Sequence, residues 1–378
     1  MTDRVAKAKR LVVKIGSALL VESESGEIRQ DWLDGLAADI ALCRTRGQDV
    51  LIVSSGSIAL GRRQLGLLED RRLRLEESQA AAAAGQIRLA HAYQQILARH
   101  DISVAQILLT LDDTEDRRRH LNARSTLNQL LQLDVVPVIN ENDTVATNEI
   151  RFGDNDRLAA RVAAMTSADC LVLLSDIDGL YDADPRQNSD AAHIPDVDEI
   201  TPEIEAMAGA APVGYSSGGM VTKLDAAKIA MGGGCDMVIT DGKPDRPLTA
   251  LSKGARATWF NAKSSPLTAR KRWIAGAVNP VGEIIVDDGA VKALAAGKSL
   301  LPAGITEITG EFARGDAVRV LDGAGREIGR GLTAYSAHDA ARIKGHKSSE
   351  IEAILGYRGR DELIHRDNLV LNEQTSKA

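Results

Sequence analysis

Six short, almost uninterrupted apolar runs constrain this chain more than any other feature: Leu11–Ile15, Val50–Ser54, Val104–Leu109, Val135–Ile139, Cys170–Leu174 and Met237–Thr240. A strand that is apolar at nearly every position must be covered on both faces, which parallel sheets achieve with crossover helices. The intervening segments carry apolar residues at helical spacing, near Trp32–Arg44, Ile58–Leu65, Glu76–Arg99, Glu115–Leu131, Asp156–Met165 and Val221–Met231. The expected fold is α/β, an open and mostly parallel sheet in an α/β/α sandwich. Such sheets bind ligands in the crevice beyond the carboxyl ends of their strands.

The pattern changes after about residue 260. The stretch Asn261–Pro280, NAKSSPLTARKRWIAGAVNP, is polar, basic and Pro-bearing, and suits a linker. From Gly282 on, short runs at Glu283–Val286, Ile305–Thr309, Ala317–Val320 and Arg326–Gly329 are separated by closely spaced Gly and Asp-Gly turns. They predict a small, mainly β domain with a few short helices. The expected division is 1–262, a linker over 263–280, and 281–371. A chain of 378 residues has room for both parts.

Composition narrows the function. A net charge of −7 and 3% aromatic residues argue against a phosphate-backbone binder or a stacking platform for single strands. Cys43, Cys170 and Cys235 are isolated, with no C-x-x-C, so they read as buried thiols in a reducing compartment rather than metal ligands or a disulfide framework. Lys7, Lys9 and Arg10 ahead of Leu11-Val12-Val13 imitate a signal peptide, but Lys14 interrupts the run and a first strand is expected instead. No stretch reaches the roughly 18 uncharged apolar residues of a membrane span. A cytoplasmic location is expected.

Three near-matches to familiar motifs are set aside. Ala296-Gly297-Lys298-Ser299 resembles the end of a P-loop, but Lys292 occupies the required first glycine position. His365-Arg366-Asp367 with Asn372 has protein-kinase spacing but sits at the end of the chain, with no D-F-G after it. A G-x-G-x-x-G fingerprint is absent.

What remains lies at strand ends. Lys14 inside a central parallel strand is costly unless its ammonium meets an anion; an edge strand with Lys14 in water is the alternative. Gly16 permits close backbone approach, as a phosphate would need. Ser54-Ser55-Gly56-Ser57 opens a helix and suits either a plain cap or an anion. Ser216-Ser217-Gly218-Gly219-Met220 leads into a helix bearing Lys223, and reads as a phosphate cradle with a point charge or as a simple loop. Ser175-Asp176 ends the fifth run, where an ordinary turn is the other reading. Residues 140–156, NENDTVATNEIRFGDND, place two Asn/Asp boxes directly after the fourth run, Asn140-Glu141-Asn142-Asp143 and Asp154-Asn155-Asp156. Either box alone would fit an Asx-rich turn.

Together these segments resemble glutamate 5-kinases of the amino acid kinase superfamily. VVKIGS, IVSSGSIALG, QAAAAAGQ, EDRRRHLNAR, VPVINENDTVAT, FGDNDRLAA, SDIDGLYDADPR and SSGGMVTKLDAA occur in that family's order. The likeness runs from about residue 8 to 260 and continues to about Leu371 in what resembles a PUA domain. One departure is Ser216, where the family often has glycine; Ser217 keeps a hydroxyl where Thr is usual. The resemblance implies transfer of the ATP γ-phosphoryl group to the side-chain carboxylate of L-glutamate, the first step of proline synthesis, with Mg²⁺ as companion ion. It implies Lys14 and Lys223 flanking the moving group, with Asp156 holding their ammonium groups. It also implies Ser55, Asp143 and Asn155 on glutamate. Lys14, Gly16, Ser175, Asp176, Ser217, Gly218, Gly219, Met220, Val221, Thr222 and Lys223 would meet the nucleotide. The residues identify no metal ligands.

The same resemblance implies a homo-oligomer and inhibition by proline, and the next enzyme of the pathway is a further candidate partner. The helix carrying Arg117, Arg118, Arg119 and Arg124 suits either a subunit interface or a solvated face. Two other readings compete. One is an RNA-associated protein using the PUA-like tail, although the acidic balance speaks against RNA binding and Arg270, Lys271 and Arg272 are too few to decide it. The other is a different amino acid kinase, of acetylglutamate or aspartate type, though nothing in the tail suggests the ACT-type domain that aspartate kinases usually carry.

Overall fold

Alternation along the apolar strands decides which helix layer each side chain meets, and this is what positions the site. The computed structural model describes residues 4–22, 24–67, 71, 73–145, 155–208, 219–276 and 280–372. The chain forms two compact units, Met1–Pro266 and Leu267–Ala378.

The first unit is built on strands β1 (Arg10–Ile15), β2 (Asp49–Ser54), β3 (Val104–Leu109), β4 (Val136–Glu141), β5 (Cys170–Ser175), β8 (Asp196–Val197), β9 (Asp236–Asp241) and β10 (Ala257–Phe260), with a two-stranded ribbon of β6 (Leu180–Tyr181) and β7 (His193–Ile194). Their order is β3-β4-β2-β1-β5-β9-β10-β8. All neighbours from β3 to β9 are parallel, and β10 pairs antiparallel with β9. β1 lies between β2 and β5, so Lys14 is in an interior strand opposite Val53 and Leu173, which removes the edge-strand alternative.

Leu11, Val13 and Ile15 point to one face, where they pack with Trp32, Leu36, Leu89 and Tyr93 from the helices Gln30–Thr45 and Leu75–Ala98. Val12, Leu51, Val53, Leu171 and Leu173 point to the other, under the helices Asn155–Thr166 and Met220–Gly232. Lys14 is two residues on from Val12 and so shares this second face. The fully apolar strands are therefore sandwiched, and about 25 cal/mol per Å² of buried apolar surface acts on both faces.

Some elements differ from the sequence-based expectation. The helix expected over Glu115–Leu131 is broken into Leu111–Glu115 and Arg117–Gln132, because Asp116 leaves helical geometry and caps the second helix by accepting from Arg119 N at 2.9 Å. β10 and the two-residue β8 were not expected. The stretch read as a linker contains a helix, Pro266–Gly276.

In the second unit β11 (Gly282–Val286), β12 (Ile305–Gly310), β13 (Ala317–Leu321), β14 (Glu327–Leu332) and β15 (Leu369–Leu371) form a sheet of order β12-β11-β13-β14-β15. Only β11 and β13 pair in parallel. Ile284, Val286, Val318 and Val320 form its core with Leu294, Phe312, Ile343 and Ile364. This is the small, mainly β domain with short helices that the turn spacing predicts.

Candidate active site

Two polar clusters form where β1, β2 and β4 end. The first is ionic. Asp156, in the first turn of its helix, receives Lys14 Nζ at 2.6 Å on Oδ1 and Lys223 Nζ at 3.0 Å on Oδ2. All three are buried, at 8% exposure for Lys14, 2% for Asp156 and 5% for Lys223. Burial raises the Asp156 carboxyl, yet the charges of Lys14 and Lys223 outweigh it and hold the group well below the usual carboxylate range. Among the described residues two ammonium groups share this one carboxylate, an excess of positive charge that suits an anion.

The surroundings of this cluster also favour an anion. The helix Met220–Gly232 starts at Gly219, which has no side chain to cap it, so among the described residues its first N–H groups are not claimed by a capping side chain. Thr222 Oγ1 lies 3.2 Å from Asp156 Oδ2 and 2.8 Å from Gly219 O. At Gly16 a Cβ would sit 3.9 Å from Lys14 Nζ, so glycine leaves that side of the ammonium clear. Ser175 Oγ lies 3.2 Å from Asp176 Oδ1, and Arg186 Nη2 donates to Asp176 Oδ2 at 2.5 Å. Burial raises the Asp176 carboxyl, and the Arg186 contact brings it below its ordinary value. Ser216, Ser217, Gly218 and Asp154 lie outside the described residues.

The second cluster is made of amides and hydroxyls. Asn155 Nδ2 donates to Ser55 Oγ at 2.7 Å and to Asn140 Oδ1 at 2.9 Å. Asn140 Nδ2 donates to Gln86 Oε1 at 2.8 Å and Ser57 Oγ at 3.2 Å, and Ser57 Oγ donates to Asp143 Oδ2 at 3.3 Å. The helix Ser57–Gln64 is capped at Gly56, whose φ of 117° favours glycine. No side chain caps that helix, so the serines here serve the cluster instead. Burial raises the Asp143 carboxyl to about 6 against the opposing Ser57 hydrogen bond. Among the described residues no basic side chain is paired with Asp143, which suits an incoming cation such as an ammonium group.

The structure thus brings Lys14, Asp156 and Lys223 into one cluster, and Ser55, Asp143 and Asn155 into its neighbour. Asn155 and Asp156 are adjacent in sequence and belong to one cluster each. Sequence reasoning missed Gln86, Ser57 and the linking part of Asn140. Ala82, Gln86, Leu89 and Tyr93 lie on one helical stripe and are all buried, so a polar residue on an apolar face was the available signal for Gln86.

Comparison with known proteins gives the family. The model of the amino acid kinase family matches residues 9–241, and that of the PUA domain matches residues 282–355. The chain is 65% identical to the glutamate 5-kinase of Paramagnetospirillum magneticum over 367 residues, which is 97% of this chain and 99% of that protein. It is 61% identical to the glutamate 5-kinase of Rhizobium rhizogenes over 363 residues, covering 96% of this chain and 93% of that protein.

Proposed function

Because the chain belongs to the amino acid kinase family, and within it to the glutamate 5-kinases, we propose that ATP and L-glutamate are its substrates. It is a phosphotransferase with a carboxyl group as acceptor. In the proposed reaction an oxygen of the glutamate γ-carboxylate bonds to the γ-phosphorus of ATP. The bond from that phosphorus to the β,γ-bridging oxygen breaks, and γ-glutamyl phosphate and ADP result. The observation that carries this reading is the buried Lys14–Asp156–Lys223 bridge beside the Asn155–Asn140–Asp143 cluster.

The chemistry asks for little besides charge and placement. A carboxylate is already a nucleophile, so no general base is needed, and the obstacle is repulsion between anions. Lys14 and Lys223 answer it with fixed ammonium groups, and Asp156 keeps both from straying in the absence of substrate. Asp143 takes the α-ammonium of glutamate, with Ser55 and Asn155 beside it. Ser175, Asp176 and Gly219–Lys223 take the nucleotide.

Mg²⁺ would accompany the nucleotide and spread the charge on its phosphates. Among the described residues no three Asp, Glu, His or Cys side chains converge on a metal site, which fits an ion carried largely by phosphates.

The product belongs at the first step of proline synthesis, and proline is proposed to inhibit. It offers the same α-amino and α-carboxylate groups but no γ-carboxylate, so it should compete with glutamate in steady-state kinetics. A cytoplasmic location, a homo-oligomeric state and contact with the next pathway enzyme complete the proposal. Among the described residues no helix is long and apolar enough to cross a membrane.

Trapping with hydroxylamine tests the substrate assignment, because acyl phosphates become hydroxamates. With ATP, L-glutamate should give hydroxamate, whereas L-aspartate and N-acetyl-L-glutamate should give little. Preference for either of those acids would overturn the assignment.

A further inference from the structure

Among the described residues, only half of the Gln86 amide group is used. It lies within the helix Leu75–Ala98 at 8% exposure. That helix crosses Ser57–Gln64 at very close range: a Cβ on Gly85 would fall 1.8 Å from Ser57 O, and one on Gly61 would fall 1.8 Å from Ala81 O. Only glycines allow this approach, and it is what sets Gln86 beside Asn140 and Ser57.

The orientation of each amide follows from the backbone. Glu141 N–H donates to Asn140 Oδ1 at 2.9 Å, so the other side of Asn140 must be its Nδ2. Nδ2 donates to Gln86 at 2.8 Å, so the Gln86 atom facing it must be Oε1. Gln86 Nε2 is therefore turned away from Asn140. It is buried and has no hydrogen-bond partner among the described residues. Asn155 shows the complementary case: its Nδ2 is used on Ser55 and Asn140, and its buried Oδ1 has no partner among the described residues. Buried amide groups are rarely left this way without a reason.

The cluster thus holds one spare donor, Gln86 Nε2, and spare acceptors on Asn155 Oδ1 and the Asp143 carboxylate. An α-amino acid needs the same set, acceptors for its ammonium and a donor for its α-carboxylate. Order along the chain of bonds assigns the ends. Asn155 adjoins Asp156 and the lysines, Asn140 follows, and Gln86 comes last. The carboxylate that is phosphorylated belongs at the lysine end, so the far end receives the other one.

We propose that Gln86 binds the substrate, its Nε2 amide donating to the α-carboxylate of the amino acid; this rests on the reading of the site given above. Gln86 then contributes to selection for a free α-carboxylate as well as orienting Asn140.

The test is Gln86→Glu in the full-length chain. Glutamate at this position keeps an oxygen for Asn140 Nδ2 and replaces the donor with an anionic oxygen. Hydroxamate formation is measured with L-glutamate and with its α-carboxamide, both with saturating ATP. A hydrogen bond to a charged group should account for roughly a 10- to 100-fold effect. Gln86→Glu should therefore lower kcat/KM for L-glutamate by that factor, mainly through KM, and change the glutamate-to-amide ratio by at least about tenfold. If Gln86 only orients Asn140, or its amide is satisfied by a buried water, the ratio will equal that of the wild type and the proposal fails. Should thermal melts show Gln86→Glu to be unfolded, Gln86→Met carries the same ratio test, with the loss again larger for L-glutamate than for the amide. An active wild type with unchanged ratios removes this proposal alone, whereas a wild type that makes no hydroxamate from L-glutamate removes the functional reading with it.

Discussion

The two clusters at the strand ends share a boundary at Asn155 and Asp156 but are built on opposite electrostatic terms. Around Asp156 each formal charge has a partner within 3.0 Å, and the surplus is positive. Around Asp143 the carboxylate accepts a hydrogen bond from the Ser57 hydroxyl, and burial lifts the carboxyl to about 6. The first arrangement is set before substrate arrives, as a group that stabilises a transition state should be. The second holds a buried carboxylate with no basic partner among the described residues, which an incoming ammonium group would stabilise. We propose that the difference divides the work, with chemistry at the lysine cluster and recognition at the amide cluster.

The largest effect should come from breaking the ionic cluster at its centre. Asp156→Asn removes the carboxylate shared by two buried ammonium groups and should cost about 3–5 kcal/mol of stability, read by chemical denaturation. Lys223→Met removes one charge from the moving phosphoryl group. Turnover should fall on the order of 10²–10³-fold, about 3–4 kcal/mol, with KM for glutamate much less affected. Near-normal turnover in Lys223→Met would remove that lysine from the chemistry.

Changes at Asp143 should be smaller and of a different kind. Asp143→Ala should raise KM for glutamate with turnover at saturation much less changed. Its effect on stability has the opposite sign to that of Asp156→Asn. Since the folded pKa of about 6 exceeds the ordinary value of 3.8, the native state holds an extra proton between those values. The ligand-free enzyme therefore loses stability as pH rises through that window and does not regain it above. Asp143→Asn should be more stable than wild type at pH 7.5 by about 1–3 kcal/mol, seen as a higher Tm. A lower Tm would show the carboxylate to be paired after all.

The smallest effect is expected from the tail. We propose that a chain ending at Pro266 folds and turns over, because every residue assigned to either cluster lies before that point. A soluble truncation that binds both substrates without activity would place part of the site in the second unit.

The strands and the ionic cluster were legible in the sequence for related reasons. Continuous apolar runs such as Leu11–Val13 can only be doubly covered strands, and a lysine following them demands an anion. The Ala257–Phe260 strand was not legible, because a strand of only four residues has no pattern distinct from a loop. Asp116 hid a helix break inside a helical pattern, since one capping bond decides it. The roles of Ser57 and Gln86 were harder still. They depend on which way each amide faces across four distant segments, fixed by the Glu141 N–H and by the close contact at Gly85. Residue type and spacing do not carry that information.

The division between recognition and chemistry is tested most directly by the pH dependence of glutamate KM in wild type and Asp143→Asn. Burial raises Asp143 to about 6 and the two lysines hold Asp156 well below the carboxylate range, so of these two carboxylates Asp143 is the one whose charge changes between pH 7.5 and pH 5. Comparing the two proteins cancels the titration of nucleotide and substrate. The account predicts that wild-type KM rises relative to the variant by about tenfold per unit once pH is below 6. The two KM values then converge near pH 5, with the ratio of their turnover numbers unchanged. A KM gap that persists to pH 5, or a turnover ratio that shifts with a midpoint near 6, would contradict it.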